Sequence, residues 1–331
     1  MVKVAVLDDY AHAAAGSADW GRLAGKAEVV FFDRHLPEAE AAEALAPFDV
    51  LCTMRERMAL PGSLIARLPK LKMITIVGLR LTNLDLDAAT RAGVIVCHSG
   101  GPALRDPRFA RIGAATPELS WGLLIATVRG LARADRRMRE GFWQDQVGTV
   151  LAGRTLGLLG LGRIGKRMAR YAKAFEMEVV AWSQNLTTEA AAAEGARRVE
   201  KDELFSLSDV VSIHLVLSDR TRGLVSAREL RLMRPTAFLI NTSRGPIVVE
   251  RDLIEALRGG TIAGVGLDVF DTEPLPADHP FRSMDNVTLT PHLGYVTAET
   301  LAAWYEDSLE AIFAFADGAP IRVSNPEALE R

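Results

Sequence analysis

Short apolar runs alternate with helical patterns along nearly the whole of the 331-residue chain, and few folds accommodate that rhythm. Val2–Leu7, Glu28–Phe32, Asp49–Met54, Met73–Val77 and Val94–Cys97 are strand-like, with helical patterns at Glu38–Leu45, Leu64–Leu68 and Leu86–Ala92 between them. Parallel strands need a crossover, and a helix supplies it by packing on a sheet face. Repeated βα units therefore predict a mostly parallel α/β sheet with helices on both faces. Residues 98–113, rich in Gly, Pro and Arg, interrupt the rhythm and read as loop. Thr116-Pro117-Glu118 then reads as a helix start, with Thr116 as N-cap and Pro117 in the first turn, opening a helix that runs to about Glu140. A second series starts at Arg154, with strands at Thr155–Gly160, Glu178–Ser183, Asp209–Leu215, Ala237–Thr242, Ile262–Val269 and Val287–Thr290, and a last helix from about Ala298 to Phe315. The length allows two domains of this kind, at roughly 150 residues each.

Hydrophobic residues make up 49% of the chain and charged residues 24%, enough apolar material for full cores. A net charge of −3 with scattered Arg and Lys speaks against a nucleic-acid partner, which requires a basic stripe. Cys52 and Cys97 lie in strand-like runs and read as buried thiols, so neither a disulfide framework nor a metal site is expected. No apolar run approaches the ~18 residues of a membrane span, and the first residues carry no targeting signal. A cytoplasmic home follows as the expectation.

The most informative local pattern is Gly160-Leu161-Gly162-Arg163-Ile164-Gly165. A G-x-G-x-x-G string alone is weak. Here an apolar strand leads in and the amphipathic helix Ile164–Phe175 leads out, which is the context a dinucleotide pyrophosphate needs. Gly160 makes the tight turn, Gly162 admits the phosphates to the backbone, and Gly165 lets helix and strand approach. The helix N-terminus then offers its free N–H groups and positive dipole, from Arg163 and Ile164 onward. The next strand ends at Ser183, where an NAD site usually places an acid on the ribose hydroxyls. Ser183 neither repels a 2′-phosphate nor is followed at once by an Arg that attracts one. The cofactor reads as NAD or NADP, with the balance toward NAD.

Three later segments each end a strand with an ionisable residue: Asn241–Pro246 with Arg244, Leu267–Pro274 with Glu273, and Thr290–Gly294 with His292. Ligands of parallel sheets bind outside the carboxyl ends of strands, so these residues can meet in one crevice. Reducing a keto acid requires a cation for its carboxylate, an acid for the new alkoxide and a carboxylate that orients that acid. Arg, His and Glu suit these tasks in turn.

The segments Gly160–Gly165, His214-Leu215-Val216-Leu217, Asn241–Gly245, Leu267–Pro274 and Thr290–Gly294 resemble the D-isomer-specific 2-hydroxyacid dehydrogenases in order and spacing, across Val2 to about Val323. The resemblance implies catalytic roles for Arg244, Glu273 and His292. It places His214 and Thr242 at the cofactor and Asp268 near the nicotinamide carboxamide, and Gly78 and Leu79 with Arg244 at the substrate carboxylate. It also implies a Rossmann domain, residues 114–296, inserted into a flavodoxin-like substrate domain, residues 1–113 and 297–331. The helices 117–140 and 298–315 become the crossovers, and the family's usual homodimer packs through the dinucleotide domains. The chain departs from the family at Leu81, where a polar residue is common, and at Cys97-His98-Ser99.

Two other readings share these motifs: formate- or phosphite-type oxidation on the same scaffold, and a dinucleotide-sensing, corepressor-like binding protein. The full Arg, Glu and His set favours catalysis on a small 2-keto or 2-hydroxy acid. The stretch 99–113 carries Arg105, Arg108 and Arg111, and one of these could meet a second anionic group on the substrate.

Overall fold

The computed structural model describes residues 1–77, 83–99 and 107–330, with the backbone alone for residues 108–110. The chain divides into two compact units, one formed by Met1–Ile112 with Val296–Arg331 and the other by Gly113–Tyr295. The stretches around Gly78 and Leu79 and around Arg105, and the side chain of Arg108, lie outside the described residues.

The first unit holds five strands: β1 (Val2–Val6), β2 (Ala27–Phe31), β3 (Val50–Thr53), β4 (Met73–Ile76) and β5 (Ile95–His98). All pair in parallel, in the order β2-β1-β3-β4-β5, the flavodoxin-like doubly wound arrangement. β3 and β4 are buried at every position, as strands covered on both faces must be, and this explains why all but Thr53 and Thr75 are apolar. Cys52 and Cys97 are buried free thiols in β3 and β5. Burial pushes them up to about 12 and about 11, so both are inert side chains of the core.

The second unit holds seven parallel strands: β6 (Thr155–Leu159), β7 (Glu178–Trp182), β8 (Arg197–Arg198), β9 (Val210–Ile213), β10 (Phe238–Asn241), β11 (Gly264–Leu267) and β12 (Val287–Leu289). Their order is β12-β11-β10-β9-β6-β7-β8, a Rossmann sheet whose winding reverses at β6. Alternation along the strands separates two cores. Leu156, Leu158, Val179 and Ala181 face one of them, with Trp121, Leu124 and Met168. Leu159, Val180, Val211 and Ile213 face the other, with Leu204, Phe205 and Leu253. The two-residue strand β8 was not legible in the sequence, being too short to show a period.

Three expectations are corrected. The helix expected from Thr116 to Glu140 is two helices, Ala115–Val128 and Leu131–Arg139, parted by Gly130 in the left-handed region at φ 62°. Gln146 Nε2 donates to the Gly130 carbonyl at 2.7 Å, and a side chain at Gly130 would strike that amide. Thr116 is not the N-cap: the chain is already helical in φ and ψ at Ala114, so the first turn forms two residues early and Thr116 lies within it. Residues 98–113 are not all loop, because Pro107–Ile112 is helical and lies against the helix Ala298–Ala316. Proline's fixed φ suits it to begin that turn.

Among the described residues no helix is long and apolar enough to cross a membrane. No group of three or more His, Cys, Asp or Glu among them could hold a metal ion.

Candidate active site

The glycine turn sits at the reversal of the Rossmann sheet. β6 is flanked by β7 and β9, and backbone bonds knit the three strand ends together: Gly160 N–H donates to Trp182 O at 2.8 Å, and His214 N–H donates to Leu159 O at 2.7 Å. Gly160 has φ +100°, and a Cβ there would meet the His214 carbonyl oxygen at 2.7 Å. A Cβ at Gly165 would fall 2.1 Å from the Gly160 carbonyl oxygen, so the first turn of the helix Arg163–Ala174 can close on the strand only with glycine in that place. At Gly162 an added Cβ meets nothing within 4 Å. The bare backbone there faces open space at the N-terminus of a three-turn helix, where unpaired N–H groups and the dipole favour an anion. This cradle fits a dinucleotide pyrophosphate.

Around it stand the other residues that the sequence singled out. Ser183 follows β7 directly and is partly buried. His214 follows β9, and its Nε2 lies 2.9 Å from the hydroxyl of the fully buried Ser212. His214 keeps some exposed surface, yet the protein packed about its ring pushes the imidazole down to about 3. Thr242, after β10, shares a 2.6 Å hydrogen bond with Ser120 of the helix Ala115–Val128.

The loop after β10 is shaped by Asn241. Its Oδ1 accepts from Ser243 N–H at 3.1 Å and its Nδ2 donates to Arg244 O at 3.0 Å. Ser243 Oγ donates to Leu215 O, tying this loop to the end of β9. Gly245 then packs so closely on the next segment that a Cβ would lie 2.1 Å from the Phe270 carbonyl carbon. Arg244, beside it, is partly buried and donates from Nη1 to Ser243 O at 2.7 Å.

Phe270 N–H donates to Glu273 Oε1 at 2.9 Å, and Glu273 Oε2 lies 2.6 Å from His292 Nδ1. Both side chains are partly exposed, and the His292 ring meets Tyr295 edge to face at 5.5 Å. His292 has φ 54°, a left-handed conformation, so its loop needs support from elsewhere. Asp268 supplies that support from the end of β11. Its Oδ1 accepts from Thr290 Oγ1 at 2.6 Å and from Leu293 N–H at 2.7 Å, and its Oδ2 accepts from Gly294 N–H at 2.9 Å. Asp268 is fully buried. Burial pushes its carboxyl up and is the largest influence, while the donors from Thr290, Leu293 and Gly294 pull the other way.

Within the second unit, then, the structure brings Glu273 and His292 together and seats the Arg244–Gly245 loop on the backbone that holds Glu273. The anchoring by Thr290 and by the Leu293 and Gly294 amides was missed from the sequence, as was the Ser120–Thr242 bond. Only the proximity of Thr290 to His292 along the chain hinted at the first.

Residues 121–294 match the family model described as D-isomer specific 2-hydroxyacid dehydrogenase, NAD binding domain. The chain belongs to that family. A glyoxylate reductase of Aeropyrum pernix is 37% identical over 277 residues, covering 81% of this chain and 80% of the relative. A D-3-phosphoglycerate dehydrogenase of Methanocaldococcus jannaschii is 34% identical over 81% of this chain but only 50% of its own length. The solved structure of a phosphoglycerate oxidoreductase from Vibrio cholerae is 32% identical with a TM-score of 0.88, covering 96% of this chain and all of that one. As a 2-hydroxyacid dehydrogenase the chain is an oxidoreductase, moving a hydride between NAD(P) and a small 2-hydroxy or 2-keto acid.

Proposed function

We propose that this dehydrogenase interconverts a small 2-keto acid and its D-2-hydroxy acid through Arg244, Glu273 and His292. The hydrogen bond between His292 Nδ1 and Glu273 Oε2 carries the reading. With Nδ1 engaged, Nε2 is the ring nitrogen left to pass a proton to or from the substrate oxygen. Glu273 fixes the orientation of the ring. Arg244 pairs with the substrate carboxylate through its planar fork. The nicotinamide, when bound, supplies the hydride in reduction and accepts it in oxidation.

Residues 114–296 form the dinucleotide domain in this reading, and residues 1–113 with 297–331 the substrate domain. Gly160, Gly162, Arg163, Ile164 and Gly165 hold the pyrophosphate, and Ser183 faces the adenosine ribose. His214 and Thr242 line the cofactor site, and Asp268 positions the His292 loop near the carboxamide. Gly78 and Leu79 contact the substrate carboxylate. Glyoxylate is the first substrate to test, following the glyoxylate reductases among the relatives. A phosphorylated 3-carbon keto acid comes second, following the phosphoglycerate dehydrogenases.

The active form is a homodimer in the cytoplasm. Exposed Leu131, Met138, Phe142, Trp143, Val147 and Val150 cluster in one stretch of the dinucleotide unit, a surface that a second copy would cover. Free thiols at Cys52 and Cys97 suit a reducing compartment. The decisive assay follows nicotinamide absorbance with a panel of 2-keto acids and both NADH and NADPH. Turnover of glyoxylate or a close analogue that is lost in His292→Ala supports the reading. Wild-type protein that binds the cofactor but turns over no 2-keto acid overturns it and favours a sensing role.

A further inference from the structure

We infer that Arg220 recognises the 2′-phosphate of NADP(H), reaching it from the loop after β9 rather than from the strand end that usually reads the ribose. The inference rests on the dinucleotide reading of the glycine turn. β7 and β9 both pair with β6, so their carboxyl ends form the two walls beside that turn. The β7 wall ends Trp182-Ser183-Gln184-Asn185, with no carboxylate to bind the ribose hydroxyls or repel a phosphate. Across from it, Arg220 donates from Nη1 to Gln184 Oε1 at 3.4 Å. This contact places a guanidinium one residue beyond Ser183, although the two residues lie 36 apart in the chain.

Two further facts suit Arg220 to an anion. Among the described residues it makes no ion pair; the neutral Gln184 amide is its hydrogen-bond partner. The side chain is exposed. The loop that carries it is also braced. Thr221 Oγ1 donates to Val216 O at 2.7 Å and accepts from Ser218 N–H at 2.8 Å, while Arg222 N–H donates to Ser218 O at 2.9 Å. A cation on a braced loop loses less freedom on binding a phosphate than one on a free chain. Arg198, on β8 beside β7, is already paired with Glu200 at 2.7 Å and bonded to Leu186 O.

The test is direct binding to the whole protein, by calorimetry, of 2′,5′-ADP against 5′-AMP and of NADP+ against NAD+. Wild-type protein should bind the 2′-phosphorylated member of each pair more tightly. Arg220→Ala should weaken that member by ~10-fold or more and leave the other within about twofold, the signature of one lost charge-assisted contact. Arg220→Lys should retain part of the preference, because it keeps the charge and loses the fork. Unchanged NAD+ binding in Arg220→Ala also reports that the fold is intact. If the alanine variant treats both members of each pair as wild type does, or weakens them equally, Arg220 does not read the 2′-phosphate. If wild-type protein binds none of the four ligands, the dinucleotide reading itself fails and the inference falls with it.

Discussion

His292 Nδ1 lies 2.6 Å from Glu273 Oε2, and the other oxygen of that carboxylate is held by Phe270 N–H at 2.9 Å. The imidazole is thus oriented by a group that is itself fixed to the backbone. His292→Ala is expected to lower kcat by ~10²–10⁴-fold, the usual contribution of a positioned general acid, with NAD+ affinity nearly intact. Glu273→Gln keeps the shape and loses the charge, so it should also lower kcat, by less. A His292→Ala enzyme with wild-type kcat would remove His292 from the chemistry.

Asp268 accepts from Thr290, Leu293 and Gly294, and these donors bracket His292. Asp268→Ala leaves the Leu293 and Gly294 amides without their acceptor, at about 1–3 kcal/mol for each buried group. Asp268→Asn should rescue little, since an amide offers one oxygen where two are used. Both variants should melt at lower temperature and lose kcat together, because the loop that holds His292 loosens. Thermal melts matching wild type in Asp268→Ala would show that the loop is held by other contacts.

His214 carries a pH prediction. Its folded-state imidazole is pushed down to about 3 from the ordinary value of 6.5 by burial. The unfolded chain therefore takes up a proton that the folded chain refuses. This stability is fully present above about pH 6.5 and is lost as pH falls towards 3, by up to about 1.4 kcal/mol per pH unit. Urea unfolding between pH 7.5 and 5 should show a steeper loss for wild type than for His214→Gln. Parallel lines for the two proteins would mean that His214 titrates normally.

Gly165→Ala tests the helix–strand approach. The new methyl would lie 2.1 Å from the Gly160 carbonyl oxygen, a backbone atom that cannot swing away. The helix must shift, and the cradle at Gly162 shifts with it. Cofactor affinity should fall by ~10-fold or more, alongside a loss of stability, since overpacking typically costs ~1–3 kcal/mol. Gly162→Ala, with open space around the added methyl, should leave the apo protein as stable as wild type to within about 0.5–1 kcal/mol of propensity effects. Equal destabilisation by both substitutions would contradict the packing described here.

Much of this molecule could be read without coordinates, because its signals are local. A strand buried on both faces is mostly apolar, which marked Val50–Thr53 and Val210–Ile213, each with a single small hydroxyl residue. A phosphate cradle needs glycines at set spacings between strand and helix, which marked Gly160–Gly165. The segments carrying Arg244, Glu273 and His292 stood out for the same reason, since each sits where a strand ends. Gly130 misled, because an isolated glycine can lie inside a helix. Its left-handed turn is held by Gln146, a residue that helix periodicity does not consider.

Tertiary structure decided the pairings across the sheet. Ser120 meets Thr242 from 122 residues away, Asp268 reaches Gly294 across 26, and Arg220 reaches Gln184 across 36. No short-range pattern encodes these contacts. They depend on strand order, and above all on the reversal that sets β6 between β7 and β9. The amino-acid sequence determined which residues end each strand, because backbone preference and hydrophobic period act over a few residues. Which strand ends stand side by side, and so which side chains meet, followed only from how the whole sheet winds.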